Sequence, residues 1–205
     1  MVRKLIINKR NVRKLEPTTN AFASLVRSII YQQISGSAAA SIERKFFGLF
    51  SPGALKAKSA RGNLLKVKFP KPADVLELND AQFKSAGVSP QKRMYLRDLA
   101  AKFVDGTINP KKFSKMSDQE IIDHLVQVKG VGEWTAHMFL IFALNRPDVL
   151  PTGDLAIRKG FMKAFNLRKV PSHEKMHALA EPHASEHTLL SLHLWGIIDD
   201  KEGNW

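Results

Sequence analysis

The stretch LVQVKGVGEWTAHMFLIF, Leu125 to Phe142, decides the fold. It is apolar at helical spacing on both sides, yet KGVG stands in its middle. Gly130 and Gly132 are separated by a single residue, and two glycines so placed break a helix running through them. The stretch therefore reads as two helices joined by a very short turn. Glycines permit a positive φ and let the turn come close to another backbone. The amides of such a turn, with the N-terminus of the following helix, form a small positive cradle for a phosphate. Taken alone, the glycines fit a tight helical hairpin with a glycine C-cap equally well.

The chain around this hairpin is also helical. In TTNAFASLVRSIIYQQIS, Phe22, Leu25, Val26, Ile29 and Ile30 fall on one helical face, with Thr18, Thr19 or Asn20 as its cap. SAAASIERKFFGLF predicts a second helix burying Ala39, Ile42, Phe46 and Leu49 or Phe50. Residues 51–72 mix Gly, Pro, Lys and Arg and predict a long basic loop. Its Lys56, Lys58, Arg61, Lys66 and Lys68 are either nucleic-acid contacts or a solvated face. Asn79 or Asp80 opens a helix that ends at Gly87, and Ser89 with Pro90 opens another that closes on Gly106. Ser117 and Glu120 form a capping box for IIDHLVQV. Asp154 fits the N-cap of DLAIRKGFMKAF, and SHEKMHALA and SEHTLLSLHLW complete the series. No strand ladder, internal repeat or low-complexity tract is legible. The expected fold is all-α, a compact array of about ten short helices forming a single domain over residues 1–205.

Composition narrows the function. The 205 residues suffice for a proper core, and 44% are hydrophobic, as in ordinary globular proteins. No run of about 18 apolar residues is present, so no membrane span is expected. Cysteine is absent, which excludes disulfides, Cys-held iron–sulfur clusters and Cys-based zinc sites. The net charge of +13 favours a polyanionic partner, nucleic acid above all.

Several stretches together carry a family resemblance. VKGVGEWTA, residues 128–136, resembles the helix–hairpin–helix element of the DNA glycosylase superfamily with a glycine–proline-rich loop and a distal aspartate. VLPTGDLAIRKGF, residues 149–161, resembles the loop and helix that carry the family's catalytic Asp. The spacing from Gly130 to Asp154 is 154 − 130 = 24 residues, as the family pattern leads one to expect. FASLVRSIIYQQIS resembles the family helix that ends at the lesion-probing loop, and AGVSPQKRMYLRDLA another family segment. The resemblance runs from about residue 20 to 195, and its branch is that of the alkylpurine (3-methyladenine) glycosylases. It implies a helical core in two lobes, with the active site in the cleft between them. With only about 20 residues before the first helix, the extra N-terminal sheet domain of some relatives is not expected.

The resemblance assigns roles residue by residue. Asp154 becomes the catalytic carboxylate, which stabilises an oxocarbenium-like sugar and orients or deprotonates water. A helix N-cap is the plainer role of such an Asp, and the two are compatible. Trp134 stands where glycosylases that also cut the backbone carry a Schiff-base Lys, so no amine is available there and a monofunctional enzyme is implied. Trp134 is also expected in the base pocket, where its indole would attract a cationic alkylated purine by roughly 1–2 kcal/mol. Its alternative is a core aromatic. Tyr31 and His183 are the other expected wall residues; Phe22 and Phe161 are further options. The target base must leave the duplex, so a wedge is expected in YQQISGS, with Gln33 first, then Ile34 and Ser35. DNA-backbone contacts are expected at Gly130, Val131 and Gly132, with Ser89, Lys92 and Arg93 at a second helix start. Family hairpins of this kind commonly hold a monovalent cation, placed here at Gly130 and Gly132. No catalytic metal and no cofactor is expected.

The expected function is excision of alkylated purines, 3-methyladenine and 7-methylguanine, from double-stranded DNA in base excision repair. The protein is expected to act as a monomer, away from membranes, and to hand its product to an abasic-site endonuclease. Its expected place is intracellular, the nucleus of a eukaryote or the cytoplasm and nucleoid of a bacterium. Two alternatives stay open at this point: a glycosylase for another lesion, such as hypoxanthine or ethenoadenine, and a non-catalytic DNA-binding module.

Overall fold

Local capping chemistry starts most of the helices. The computed structural model describes residues 5, 7, 15–18, 20–51 and 69–199. The five basic residues expected to line the 51–72 loop lie outside them. Among the described residues there are ten α-helices and no strand, so the all-α expectation holds. The chain divides into two compact units, Thr19–Thr135 and a second made of Met1–Thr18 with Ala136–Trp205.

The first unit begins with α1, Ala21–Tyr31, capped by the Asn20 side chain on the Ala23 amide at 2.9 Å. Phe22, Leu25, Val26, Ile29 and Ile30 are all buried, as their spacing predicts. The second helix, α2, Gly36–Gly48, buries Ala39, Phe46 and Phe47, but also Glu43, where Ile42 was expected. Glu43 is tolerated in the core because Arg27 Nε and the Tyr31 hydroxyl donate to its two oxygens at 2.6 and 2.9 Å. Short α3, Pro72–Leu76, was not legible as a helix, and α4, Asp80–Ser85, carries an Asn79–Gln82 capping box. The long α5, Pro90–Val104, starts at Ser89 as expected and packs on α1 and α3. After a 3-10 turn at Pro110–Lys115 comes α6, Asp118–Leu125, opened by the Ser117–Glu120 capping box. The following α7, Glu133–Phe142, completes the expected hairpin; its first three residues belong to this unit and the rest to the second.

The second unit is built around α8, Leu155–Ala164, α9, His173–Ala180, and α10, His187–Asp199. Its core joins Leu150, Ile157, Phe161, Met176, Leu190 and Leu194. One glycine sets its geometry. A Cβ on Gly160 would stand 2.9 Å from both the Cβ and the carbonyl oxygen of Leu194, so α8 and α10 cross too closely for any larger residue. Leu194 precedes Trp195, and this close crossing brings the N-terminus of α8 within reach of that indole.

Candidate active site

Asp154 is the N-cap of α8. Its Oδ1 accepts the Ile157 amide at 2.8 Å, the usual capping bond. The same oxygen accepts the indole N–H of Trp195 at 3.0 Å. A turn before it fixes the backbone, with the Asp154 amide on the Pro151 carbonyl at 2.9 Å. The Asp154 carboxylate is thus oriented by two donors from two helices. Trp195 in turn stacks on Phe142, with ring centroids 5.7 Å apart and planes at 27°. Trp195 was not singled out from sequence. Its position in a mostly apolar helix carries no mark of a polar duty, and only the Gly160 crossing reveals its reach.

His183, expected as a wall of the base pocket, is 2% exposed. Its Nε2 accepts the Leu5 amide at 3.2 Å, so it belongs to the core of its own unit and offers no open face. Phe161 and Phe22 are likewise core residues. Tyr31 is 40% exposed, but its hydroxyl is spent on Glu43. Burial, reinforced by the Glu43 carboxylate, pushes its pKa up to about 12. Trp134 behaves otherwise: it sits in the first turn of α7 and is 49% exposed, so it is not a core aromatic.

The hairpin turn is anchored from within the first unit. Val131 is buried, and its amide donates to the Val128 carbonyl at 3.0 Å. The amide of Val131, expected as a backbone contact between the two glycine amides, is therefore used inside the turn. Gly130 takes φ of +79°, and a Cβ there would stand 2.1 Å from the Tyr95 ring. Glycine is needed at this position for both reasons. Gly132 differs: its φ is not positive, and a Cβ there would meet nothing within 4 Å. Among the described residues nothing requires glycine at 132. The Lys129 amide donates to Asp98 Oδ2 at 2.8 Å, and Lys102 pairs with the same carboxylate at 2.9 Å. Burial works against the charged form of Asp98, but the Lys129 amide and the Lys102 ammonium outweigh it and hold its carboxyl below its usual range.

Residues 126–132 line an open groove. They include no carboxylate and no histidine, so they bring no side-chain ligand for a transition metal. The Gly130 carbonyl accepts one hydrogen bond, from Gln32 at 2.8 Å. Among the described residues no cluster of His, Asp or Glu could hold a metal ion.

The wedge candidates follow α1. Gln33 is exposed with φ of +57°, an uncommon conformation for a side-chain-bearing residue. Ile34 is 39% exposed beside it. Ser35 caps α2 through the Ala38 amide at 3.4 Å. Ser89 caps α5 in the same way. Arg93 pairs with Asp80 at 2.9 Å. Lys92, expected at a DNA phosphate, donates instead to the carbonyls of Ile30 and Gln32 at 2.6 and 2.8 Å. Burial lowers its pKa.

Comparison with known proteins gives this arrangement its family. The pattern of an HhH-GPD superfamily base excision DNA repair protein matches residues 26–184. The chain is 32% identical to DNA-3-methyladenine glycosylase 1 of Schizosaccharomyces pombe over 195 residues, 94% of this chain and 78% of that protein. A solved structure of Schizosaccharomyces pombe 3-methyladenine DNA glycosylase in complex with abasic DNA superimposes with a TM-score of 0.73 at 29% identity, covering 92% of this chain and 86% of that one. A DNA-3-methyladenine glycosidase from Bacillus halodurans gives 0.77 at 27% identity, covering 94% and 82%. The chain belongs to the HhH-GPD superfamily of base excision DNA repair proteins. No helix among the described residues is long and apolar enough to cross a membrane.

Proposed function

We propose that this protein is a monofunctional DNA glycosylase that removes alkylated purines, 3-methyladenine and 7-methylguanine in particular, from duplex DNA. The observation that carries the reading is the Asp154 carboxylate, held at the start of α8 by the Ile157 amide and the Trp195 indole. A carboxylate so fixed is an electrostatic partner for positive charge that develops on a sugar ring. The relatives named DNA-3-methyladenine glycosylase supply the substrate class.

The reaction is hydrolysis. The N-glycosidic bond breaks and its electron pair leaves with the purine. Alkylation at a ring nitrogen makes the purine cationic, so it departs as a neutral base without a strong general acid. Asp154 stabilises the oxocarbenium-like sugar and takes the proton of the water that forms the new bond at C1′. The product is an abasic site on an intact strand. Trp134 recognises the cationic base through its indole face. The amides of Gly130 and Gly132, with the start of α7, take a DNA phosphate, and the bare Hα side of Gly132 leaves room for it. Gln33 and Ile34 fill the gap left by the flipped nucleotide. A monovalent cation at the carbonyls of the 126–132 turn would add positive charge beside that phosphate. The protein acts as a monomer, wherever the cell keeps its DNA, and an abasic-site endonuclease takes over its product.

The test is a base-release assay across a panel of lesions, scored for strand cleavage before and after alkali. Release of methylated purines with cleavage only after alkali supports the reading. Release of hypoxanthine or ethenoadenine alone, or DNA binding without any release, overturns it.

A further inference from the structure

Two loops of the first unit are joined through a single side chain, Gln32. Its amide Nε2 donates to the Gly130 carbonyl at 2.8 Å and lies 3.5 Å from Thr135 Oγ1, in the first turn of α7. Gln32 thus spans the glycine turn, reaching Gly130 before Val131 and Gly132 and Thr135 after them. Its own carbonyl accepts the Lys92 ammonium at 2.8 Å, and the same ammonium caps the Ile30 carbonyl at 2.6 Å. The very next residue is Gln33, at φ of +57°.

These bonds differ in kind from ordinary helix capping. Lys92 does not release its charge to solvent but places it against the carbonyl end of α1, where a cation is favoured by the helix dipole. Pinning the Gln32 carbonyl fixes the peptide that leads into Gln33, and a left-handed side-chain-bearing residue persists only where its surroundings hold it. On the hairpin side, α5 supplies the matching support. Tyr95, one turn after Lys92, packs under Gly130, and Gln91 donates to the Tyr95 hydroxyl at 2.6 Å. Asp98, one turn further, takes the Lys129 amide. One face of α5 therefore carries both turns, and Gln32 closes the link between them.

We propose that Gln32 is a positioning residue that couples the phosphate-binding hairpin to the wedge turn, with Lys92 as its partner. The inference rests on the reading of Gln33 and Ile34 as the wedge. DNA seated on the hairpin then holds Gly130, Gly130 holds Gln32, and Gln32 presents Gln33 to the base stack. Without this link the protein still binds the backbone but no longer converts binding into entry of the wedge. Lys92 acts through the turn and not as a phosphate ligand.

The test uses a duplex with 2-aminopurine stacked beside a tetrahydrofuran abasic analogue, whose fluorescence changes when a side chain enters the stack. Affinity is read in parallel by anisotropy. Gln32→Met removes the donor at similar length, and Lys92→Met removes the ammonium. One ordinary hydrogen bond corresponds to about a threefold to tenfold change. Each variant should lose about that factor of the wild-type fluorescence change at saturating protein, while its affinity changes less than about threefold. The double variant should be no worse than the weaker single one, because both act on one turn. The salt slope of Lys92→Met should equal that of the wild type, whereas losing a phosphate ligand would reduce it by about one. If Gln32→Met does not fold, Gln32→Glu, which keeps the shape and turns the donor into an acceptor, serves for the fluorescence arm. A full fluorescence change in either variant, losses that track affinity, or a reduced slope overturns the proposal. The readout needs no base release, so a wild type that perturbs the stack yet excises nothing would sink the glycosylase reading and leave this one standing.

Discussion

The Trp195 indole nitrogen donates to Asp154 Oδ1 at 3.0 Å, on the same oxygen that accepts the Ile157 amide at 2.8 Å. Trp195→Phe keeps an aromatic ring against Phe142 but removes the donor. A hydrogen bond to a charged group is worth about 1.5–3 kcal/mol, so kcat for base release should fall by about tenfold or more. Single-turnover kinetics read this directly, and the dissociation constant for abasic DNA should stay within about twofold. An equal loss in binding and turnover would show that Trp195 supports the unit as a whole.

The two hairpin glycines separate folding from binding. Gly130→Ala drives a Cβ into the Tyr95 ring and forces a positive φ on alanine. It should cost about 2–4 kcal/mol of stability, read by denaturant unfolding. Gly132→Ala meets open space and should leave the unfolding midpoint nearly unchanged. Its methyl group would stand between the turn and a phosphate, so DNA affinity should drop by about tenfold. Equal behaviour of the two variants would contradict the cradle.

Asp98 ties the hairpin to α5, and its carboxyl is held below its usual range. The native group binds fewer protons than the unfolded one, so its contribution is complete above the unfolded pKa of about 3.9. It is lost as pH falls through the lower native value. Asp98→Asn should therefore destabilise the protein by about 1–2 kcal/mol at neutral pH. The gap between variant and wild type should close in acid, and unfolding curves at several pH values check it. A gap that stays constant down to strongly acidic pH would remove Asp98 from this role.

The resemblance of VKGVGEWTA to the family hairpin puts Trp134 at the proposed position of a Schiff-base lysine. Borohydride should trap no covalent protein–DNA complex at any lesion. Trp134→Ala should slow release of cationic 7-methylguanine more than release of a neutral lesion, by about tenfold, the worth of a desolvated cation–π contact. Equal slowing of both would reduce Trp134 to a shape-filling wall.

Much of this was legible in sequence because the cues are local. Asn20, Asn79, Ser89, Ser117 and Asp154 all cap the helices that their spacing predicts. The glycine pair marks the hairpin, although its two members turned out to be unlike. What sequence could not supply are contacts between residues far apart in the chain. Trp195 reaches Asp154 across 41 positions, and Gln32 reaches Gly130 across 98. No periodicity encodes either. His183 misled for the complementary reason, since a motif places a residue in the chain but does not say which way its side chain faces. Lys92 did so too, because a lysine at a helix start looks like a phosphate ligand until the carbonyls it faces are known.

The proposed mechanism turns on Asp154 as the catalytic carboxylate. It is tested most directly by single-turnover release of 3-methyladenine and 7-methylguanine from methylated duplex DNA by Asp154→Asn. The variant keeps an oxygen to cap α8 and to accept the Trp195 indole, so it should fold and bind abasic DNA as well as the wild type. Its base release should fall by at least about a hundredfold, the scale of losing one preorganised charge or general base. Release at the wild-type rate would contradict the account.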